Sequence, residues 1–388
     1  MADVSRRVLV VHNAYQQRGG EDSVVESEVA LLREHGHEVE LFLRHNDDVE
    51  RLSKLDVARQ TLWSSQTVRD VQATLQRFRP DVVHVHNTLP LVSPSVFWAA
   101  SRMGVPTVMT LHNFRLLCPQ ATLLRDGAIC ESCVGRLPLP AIQHRCYRDS
   151  LAHTVGLASM LMLHRGLGTF RRKVNRFIAL TEFGRNKFIE GGLDADRIDV
   201  KPNFVHWMPR PPEGERHGGL YVGRLSVEKG VEPLLQAMKL HPTHQLQVIG
   251  TGPFDEAMAA TAGDAWLGAR PLNEVLERMR RAAYLLLPSV CYEGFPRTIV
   301  EAFACATPVI ASRRGSLAEL IEEGRTGLLF DPADPADMVA RLKWADANPS
   351  AMRQMGEAAR LVYEERFSPA RNHELLMQVY DRAQAAVR

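Results

Sequence analysis

The sequence predicts an α/β protein built of two doubly wound, Rossmann-like domains, and three observations predict it. At 388 residues the chain is long enough to bury two cores. Short apolar runs alternate with amphipathic segments in both halves, the pattern of a parallel sheet covered by helices on both faces. A proline-rich stretch at 202–218, PNFVHWMPRPPEGERHG, interrupts that alternation near the middle and reads as a linker. The expected organisation is a domain over 1–201, a second over 219–367, and a last helix over 368–388.

The first strand is Arg7–Val11, and a Gly19-Gly20 loop follows it. A helix then runs through Val24, Val25, Val29, Leu31 and Leu32 until Gly36 stops it. Asp22 is placed to cap that helix, and Glu21 beside it to cap or to orient an acceptor. Further strands read from Val39–Leu43, Val82–Val85, Thr107–Thr110 and Phe177–Leu180. In the second half they read from Leu220–Val222, Gln245–Ile249, Ala265–Leu267, Tyr284–Leu287 and Val309–Ala311. His112 follows the fourth strand, where α/β folds gather their ligands; His84, His86 and Asn87 close the third. The glycine pair is not a Gly-x-Gly-x-x-Gly fingerprint, so a dinucleotide cofactor is not indicated.

Composition is that of a soluble globular protein, 45% apolar and 24% charged. No apolar run is long enough to span a bilayer, and MADVSRRVLVVHN enters a strand without the apolar region of a signal peptide. A cytoplasmic location is expected. Residues 101–180 carry eleven Lys/Arg against three Asp/Glu. Within them MLMLHRGLGTFRRKVNRF, 160–177, mixes apolar and basic side chains. Such a segment is either a core helix with a solvated basic face or a surface that rests on anionic lipid. It lacks interleaved aromatics and any nucleic-acid-binding module. Of six cysteines, Cys118, Cys130, Cys133 and Cys146 cluster in an excursion over 113–150. Their C-x11-C-x2-C-x12-C spacing suits a structural zinc, with buried or redox-active thiols as the alternative.

Chemistry concentrates in two segments of the second half. CYEGFPRTIVE, 291–301, sets Glu293 and Glu301 around a Gly294-Phe295-Pro296 turn that opens a helix after a strand. The free N–H groups of such a helix favour an anion, and two carboxylates beside it can hold hydroxyls. Phosphate plus polyol describes a sugar nucleotide. Upstream, GRLSVEKG, 223–230, supplies Arg224 and Lys229, a planar fork and a mobile cation for a diphosphate. The two cations can neutralise a leaving diphosphate without a metal, and no Asp-x-Asp pair stands nearby.

With these motifs the chain resembles the family 4 retaining glycosyltransferases of the GT-B fold. The resemblance also rests on Gly19-Gly20-Glu21-Asp22, His112-Asn113, Gly250-Thr251-Gly252-Pro253 and Thr307-Pro308-Val309-Ile310-Ala311-Ser312. It implies a nucleoside-diphosphate sugar bound by the second domain, with Glu301 on the ribose and Glu293 on the sugar. The amides of Gly294 and Phe295 approach sugar and diphosphate, Arg224 and Lys229 clamp the diphosphate, and the Gly19-Gly20 loop meets donor or acceptor. His112 is implied to touch the sugar at the reacting centre, and Arg115 an acceptor phosphate. Pro296-Arg297 departs from the small residue the family often has there, which bears on the sugar contacts. Retention of configuration, front-face substitution within an ion pair and the absence of a catalytic cofactor are likewise implied.

The acceptor implied is a sugar or lipid-linked glycan, in cell-envelope or exopolysaccharide assembly, with the enzyme peripheral at the inner membrane face. The last helix is implied to return to the first domain. An epimerase or hydrolase of the same fold, or a silent nucleotide-sugar-binding scaffold, are the rival readings.

Overall fold

The computed structural model describes residues 5–206, 208–210, 214–242 and 245–387. Parts of the expected linker, Trp207 and 211–213, lie outside the described residues, as do the two chain ends. The chain forms two compact units. One comprises the chain to Ala121, Glu131–Pro202 and everything from Asn372; the other comprises Thr122–Cys130 and Asn203–Arg371.

The first unit holds strands β1 (Arg7–Ala14), β2 (Glu38–His45), β3 (Val82–Val85), β4 (Thr107–Leu111), β5 (Arg176–Ala179) and β6 (Ile198–Val200). They pair side by side in the order β2-β1-β3-β4-β5-β6, every pairing parallel. Val8–Val11, Val82 and Val83 are fully buried, as befits strands covered on both faces. Helix α1 (Gly20–Glu34) buries Val24, Val25, Val29, Leu31 and Leu32, the stripe the 3.6-residue period demands. Gly36 ends it at φ +78, a conformation that glycine adopts at little cost. Helix α2 (Leu151–Gly166) follows the cysteine segment.

The second unit holds β7 (Gly219–Val222), β8 (Leu246–Ile249), β9 (Tyr284–Leu287), β10 (Val309–Ser312) and β11 (Gly327–Phe330). These too are all parallel, in the order β8-β7-β9-β10-β11. Helix α3 (Val231–Leu240) buries Leu234 and Leu235 in a core with Tyr221, Leu286 and Met338. Helix α4 (Arg297–Ala304) follows β9; α5 (Pro349–Arg366) and α6 (Pro369–Ala385) end the chain.

The expected strand Ala265–Leu267 is instead a single bridge between Val248 and Trp266. Gly268, at φ +67, turns the chain away after one pairing step. The segment 160–177 divides into the end of α2 and a short turn of helix at Thr169–Arg172, separated by Gly168 at φ +68.

Candidate active site

In the second unit the two motif segments meet. Gly230 closes the first one in the left-handed region, φ +72, and a Cβ there would lie 1.8 Å from the Pro288 carbonyl oxygen. Only glycine lets the 223–230 turn press against the 288–296 loop. The Val290 amide donates to the Glu228 carbonyl, 3.1 Å, and stitches the same contact. The helix expected near Glu228 is a 3-10 turn over Val227–Lys229, and α3 starts only after Gly230.

This approach places Lys229 Nζ between both Glu293 oxygens, at 2.8 and 3.0 Å. Ser289 Oγ donates to Glu293 Oε1 at 2.6 Å. Ser316 Oγ donates to the Glu293 backbone carbonyl, also 2.6 Å, and holds the turn from outside. Burial works against the charge on Lys229, but the Glu293 carboxylate outweighs it and keeps the ammonium above its ordinary range. Arg224 is exposed, and its carbonyl accepts the Tyr221 hydroxyl at 2.9 Å, so the turn is fixed while the guanidinium stays at the surface.

Glu301 lies on α4 and is buried. Burial raises its carboxyl above the ordinary value; Arg297, with Nε 3.9 Å away, opposes that rise. Phe295 is buried with its ring edge-on to Phe367, so at Phe295 the backbone rather than the side chain is available to a ligand. Pro296 is the residue capping α4, just outside the first turn where proline was expected. The Ile299 amide already bonds the Pro296 carbonyl.

The first unit carries a second polar cluster. Gly19 caps α1, and Gly20 is its first residue, so the pair is a helix start rather than a free loop. The Asp22 carboxylate accepts the Gly19 amide at 2.8 Å and pairs with His12 Nε2 at 2.8 Å. Glu21 accepts the Tyr15 hydroxyl at 2.9 Å. Burial pushes its carboxyl up to about 8, against the pull of that hydrogen bond and with Asp22 adding to the rise. Deeper in, Glu28 on α1 is buried and accepts from Lys201 Nζ, 2.9 Å. Its other oxygen lies 3.0 Å from His84 Nδ1 and 3.2 Å from His86 Nε2. His86 Nδ1 lies 2.9 Å from His112 Nε2. Arg115 donates to the Pro119 carbonyl at 2.6 Å and lies over the Tyr147 ring.

Glu28 and Lys201 were not singled out from the sequence, although a signal existed. Glu28 sits on the apolar stripe of α1, where an unpartnered carboxylate would be costly. Its cation lies 173 residues away.

Cys118 and Cys133 are buried, and Cys130 and Cys146 half-buried. Cys130 falls in the second unit and the other three in the first. Among the described residues, the group whose potential ligand atoms gather within 4.8 Å is Glu28, His84 and His86, and no cysteine enters it. Within that group Glu28 already binds the Lys201 ammonium through its other oxygen. No helix among the described residues is long and apolar enough to cross a membrane.

Around α2 the first unit exposes Leu137, Leu139, Leu151, Val155, Leu163 and Leu167. A cavity of about 360 Å³ beside them is lined by Leu116, Leu137, Phe170, Arg136, Arg165 and Arg171, among others.

Comparison with known proteins fits this geometry. Residues 213–362 match the family described as "Glycosyl transferases group 1", and residues 19–203 the "Glycosyl transferase 4-like domain". An alpha-maltose-1-phosphate synthase of Mycolicibacterium smegmatis is 31% identical over 82% of this chain and 86% of its own. The chain belongs to the GT-B glycosyltransferases. A glycogen synthase of Mycobacterium tuberculosis is 28% identical over 74% of this glycosyltransferase and 65% of its own length. The match spans 51% and 65% of the first two curated relatives. The Anabaena HepE structure in complex with UDP-glucose superposes with a TM-score of 0.66 at 17% identity, covering 97% of this chain and 100% of that one; it shares the fold.

Proposed function

We propose that this glycosyltransferase transfers a sugar, with retention of configuration, from a nucleoside-diphosphate sugar to a sugar or lipid-linked glycan in envelope or exopolysaccharide assembly. The observation that carries the reading is the Lys229–Glu293 pair, with Ser289 behind it and Arg224 exposed beside it. A half-buried ammonium held in place by a carboxylate is preorganised to receive developing phosphate charge. A carboxylate fixed by Lys229 and Ser289 is equally placed to accept sugar hydroxyls. Buried Glu301 is suited to the ribose, where neutral or ionised it accepts a hydroxyl. Gly19, Gly20 and His112 are assigned to donor contacts, and Arg115 to an acceptor phosphate. HepE, similar in fold, binds UDP-glucose, which favours a uridine donor here.

Thermal stability with UDP, GDP, ADP and CMP tests the donor site. One nucleotide at a hundred times its Kd adds about 2.7 kcal/mol to the wild type, and Arg224→Ala/Lys229→Ala loses that gain. No gain with any of the four contradicts the reading.

The exposed leucines around α2, flanked by Arg136, Arg171 and Arg172, suit an anionic lipid surface by charge complementarity. Each basic residue adds about 1 kcal/mol near such a surface. Co-sedimentation with phosphatidylglycerol vesicles is expected, weakening in high salt and with Leu163→Glu/Leu167→Glu. Equal binding to neutral phosphatidylcholine vesicles contradicts it.

A further inference from the structure

We propose that Glu28 and His86 are positioning residues that fix His112 as its Nε2–H tautomer, leaving Nδ1 as a hydrogen-bond acceptor for a hydroxyl of the bound donor sugar. The assignment of His112 to the donor rests on the function proposed above; its tautomer does not.

The protons can be placed one by one, starting from Glu28. Glu28 is buried, and its pairing with the Lys201 ammonium at 2.9 Å holds the carboxylate in its charged form. A carboxylate only accepts. The nitrogens nearest its other oxygen are His84 Nδ1 at 3.0 Å, which also lies 2.9 Å from the Tyr380 hydroxyl, and His86 Nε2 at 3.2 Å; neither that oxygen nor His86 Nε2 has an aligned hydrogen-bond partner, so the anion favours a proton on each nitrogen. Bare nitrogens there would set lone pairs against a buried anion. Burial pushes His86 down to about 3, so it carries one proton only, and that proton is on Nε2. His86 Nδ1 is then an acceptor, and the atom 2.9 Å from it is His112 Nε2, which must donate. Burial likewise holds His112 well below its ordinary value. Its single proton is thus on Nε2 and Nδ1 is bare. His112 is half-buried at the end of β4, so this nitrogen belongs to a ring that a ligand can meet.

The surrounding bonds agree. His84 Nε2 is 2.8 Å from Thr110 Oγ1, whose hydroxyl can donate to it while Nδ1–H is shared between the Glu28 carboxylate and the Tyr380 oxygen, 2.9 Å away. Asn372, which accepts from Lys201 at 3.1 Å and donates to the Pro202 carbonyl at 2.6 Å, fixes the ammonium. The polarity of the whole chain is therefore set by one carboxylate held by one cation, at a distance from the ring that it orients.

Glu28→Gln makes the sharpest prediction. Lys201 keeps the amide oxygen on its own side and turns the NH₂ towards the histidines. His86 Nε2 becomes an acceptor, Nδ1–H donates, and His112 is converted to the Nδ1–H form.

The test is two-bond ¹H–¹⁵N correlation on full-length protein labelled in histidine, assigned with His112→Gln and His86→Gln. In the wild type, His112 and His86 should both be neutral and protonated on Nε2, with a ¹⁵N–¹⁵N coupling across the His112–His86 hydrogen bond. In Glu28→Gln the His112 proton should move to Nδ1. A His112 protonated on Nδ1, or on both nitrogens, at pH 7 in the wild type overturns the proposal even where the variant fails to fold. A folded variant with unchanged polarity overturns it as well.

Binding separates the two claims. With UDP and UDP-glucose as probes, Glu28→Gln should weaken UDP-glucose about tenfold, one hydrogen bond to the sugar, and leave UDP unchanged. Failure of both probes to bind wild type counts against a uridine donor and leaves the tautomer result standing. Equal loss for UDP and UDP-glucose counts against the sugar contact.

Discussion

At the residue scale, the first unit keeps a carboxylate, an ammonium and several imidazoles out of water. Desolvating an ion pair is costly, and Glu28 offsets that cost through the Lys201 ammonium on one oxygen, with His84 and His86 close to the other. The imidazoles give stability a definite pH dependence. His86 is pushed down to about 3 and His112 well below 6.5 by burial, so between those values and 6.5 the unfolded chain binds more protons than the folded one. Their contribution is fully present above about pH 6.5 and is lost as pH falls towards the folded values, by up to about 1.4 kcal/mol per pH unit for each group. Glu28, whose carboxyl lies well below 4.5 despite burial because Lys201 and His84 outweigh it, adds a loss that begins only below about pH 4.5. Glu21, pushed up to about 8 by burial, acts in the opposite sense over the same range, so the imidazole contribution is read as a difference: urea unfolding should show the wild type losing more stability than His86→Gln between pH 7 and pH 5. Parallel profiles for the two proteins would contradict the buried, neutral assignment of His86.

At the scale of elements, what the sequence showed depended on whether the cause was local. Tyr284–Leu287 is an uninterrupted apolar run and Val82–Val85 is broken only by His84, and the strands match them residue for residue. Ile198–Val200 carries Asp199 in its middle, and Gly327–Phe330 opens on glycine, a weak strand former; neither stood out. The Glu-x7-Glu and Gly-Arg-Leu-Ser segments were legible because their residue types state their chemistry. That Lys229 would neutralise Glu293 was not, since 64 residues separate them and only the packing of two loops joins them. Gly230 is the point of that packing. Gly230→Ala puts a Cβ 1.8 Å from the Pro288 oxygen at a left-handed φ, a strain of about 1–3 kcal/mol in addition to the steric clash. Chemical denaturation should show a loss of at least that size, accompanied by weaker nucleotide binding. An unchanged midpoint would mean that the two loops are not held together as described.

For the whole molecule, two parallel sheets place their polar residues where strands give way to loops, and that placement was readable from alternation alone. The division into units was less so. The residues from Asn372 group with the first unit, as the resemblance implied for the last helix, whereas Thr122–Cys130 groups with the second unit although the sequence places it inside the first. That second membership depends on long-range contacts that one sequence does not display. Long-range packing also gathers Glu28, His84 and His86, with Lys201 on the far oxygen of Glu28, a grouping that no local spacing announces. The proposed function rests above all on the second unit clamping a diphosphate through Arg224 and Lys229. Calorimetric titration of the nucleotide that stabilises the protein, as diphosphate and as monophosphate, tests it most directly. The account predicts that the wild type binds the diphosphate at least tenfold more tightly, about 1.4 kcal/mol, and that Arg224→Ala/Lys229→Ala abolishes the difference; equal affinities in the wild type, or an undiminished preference in the double variant, would contradict it.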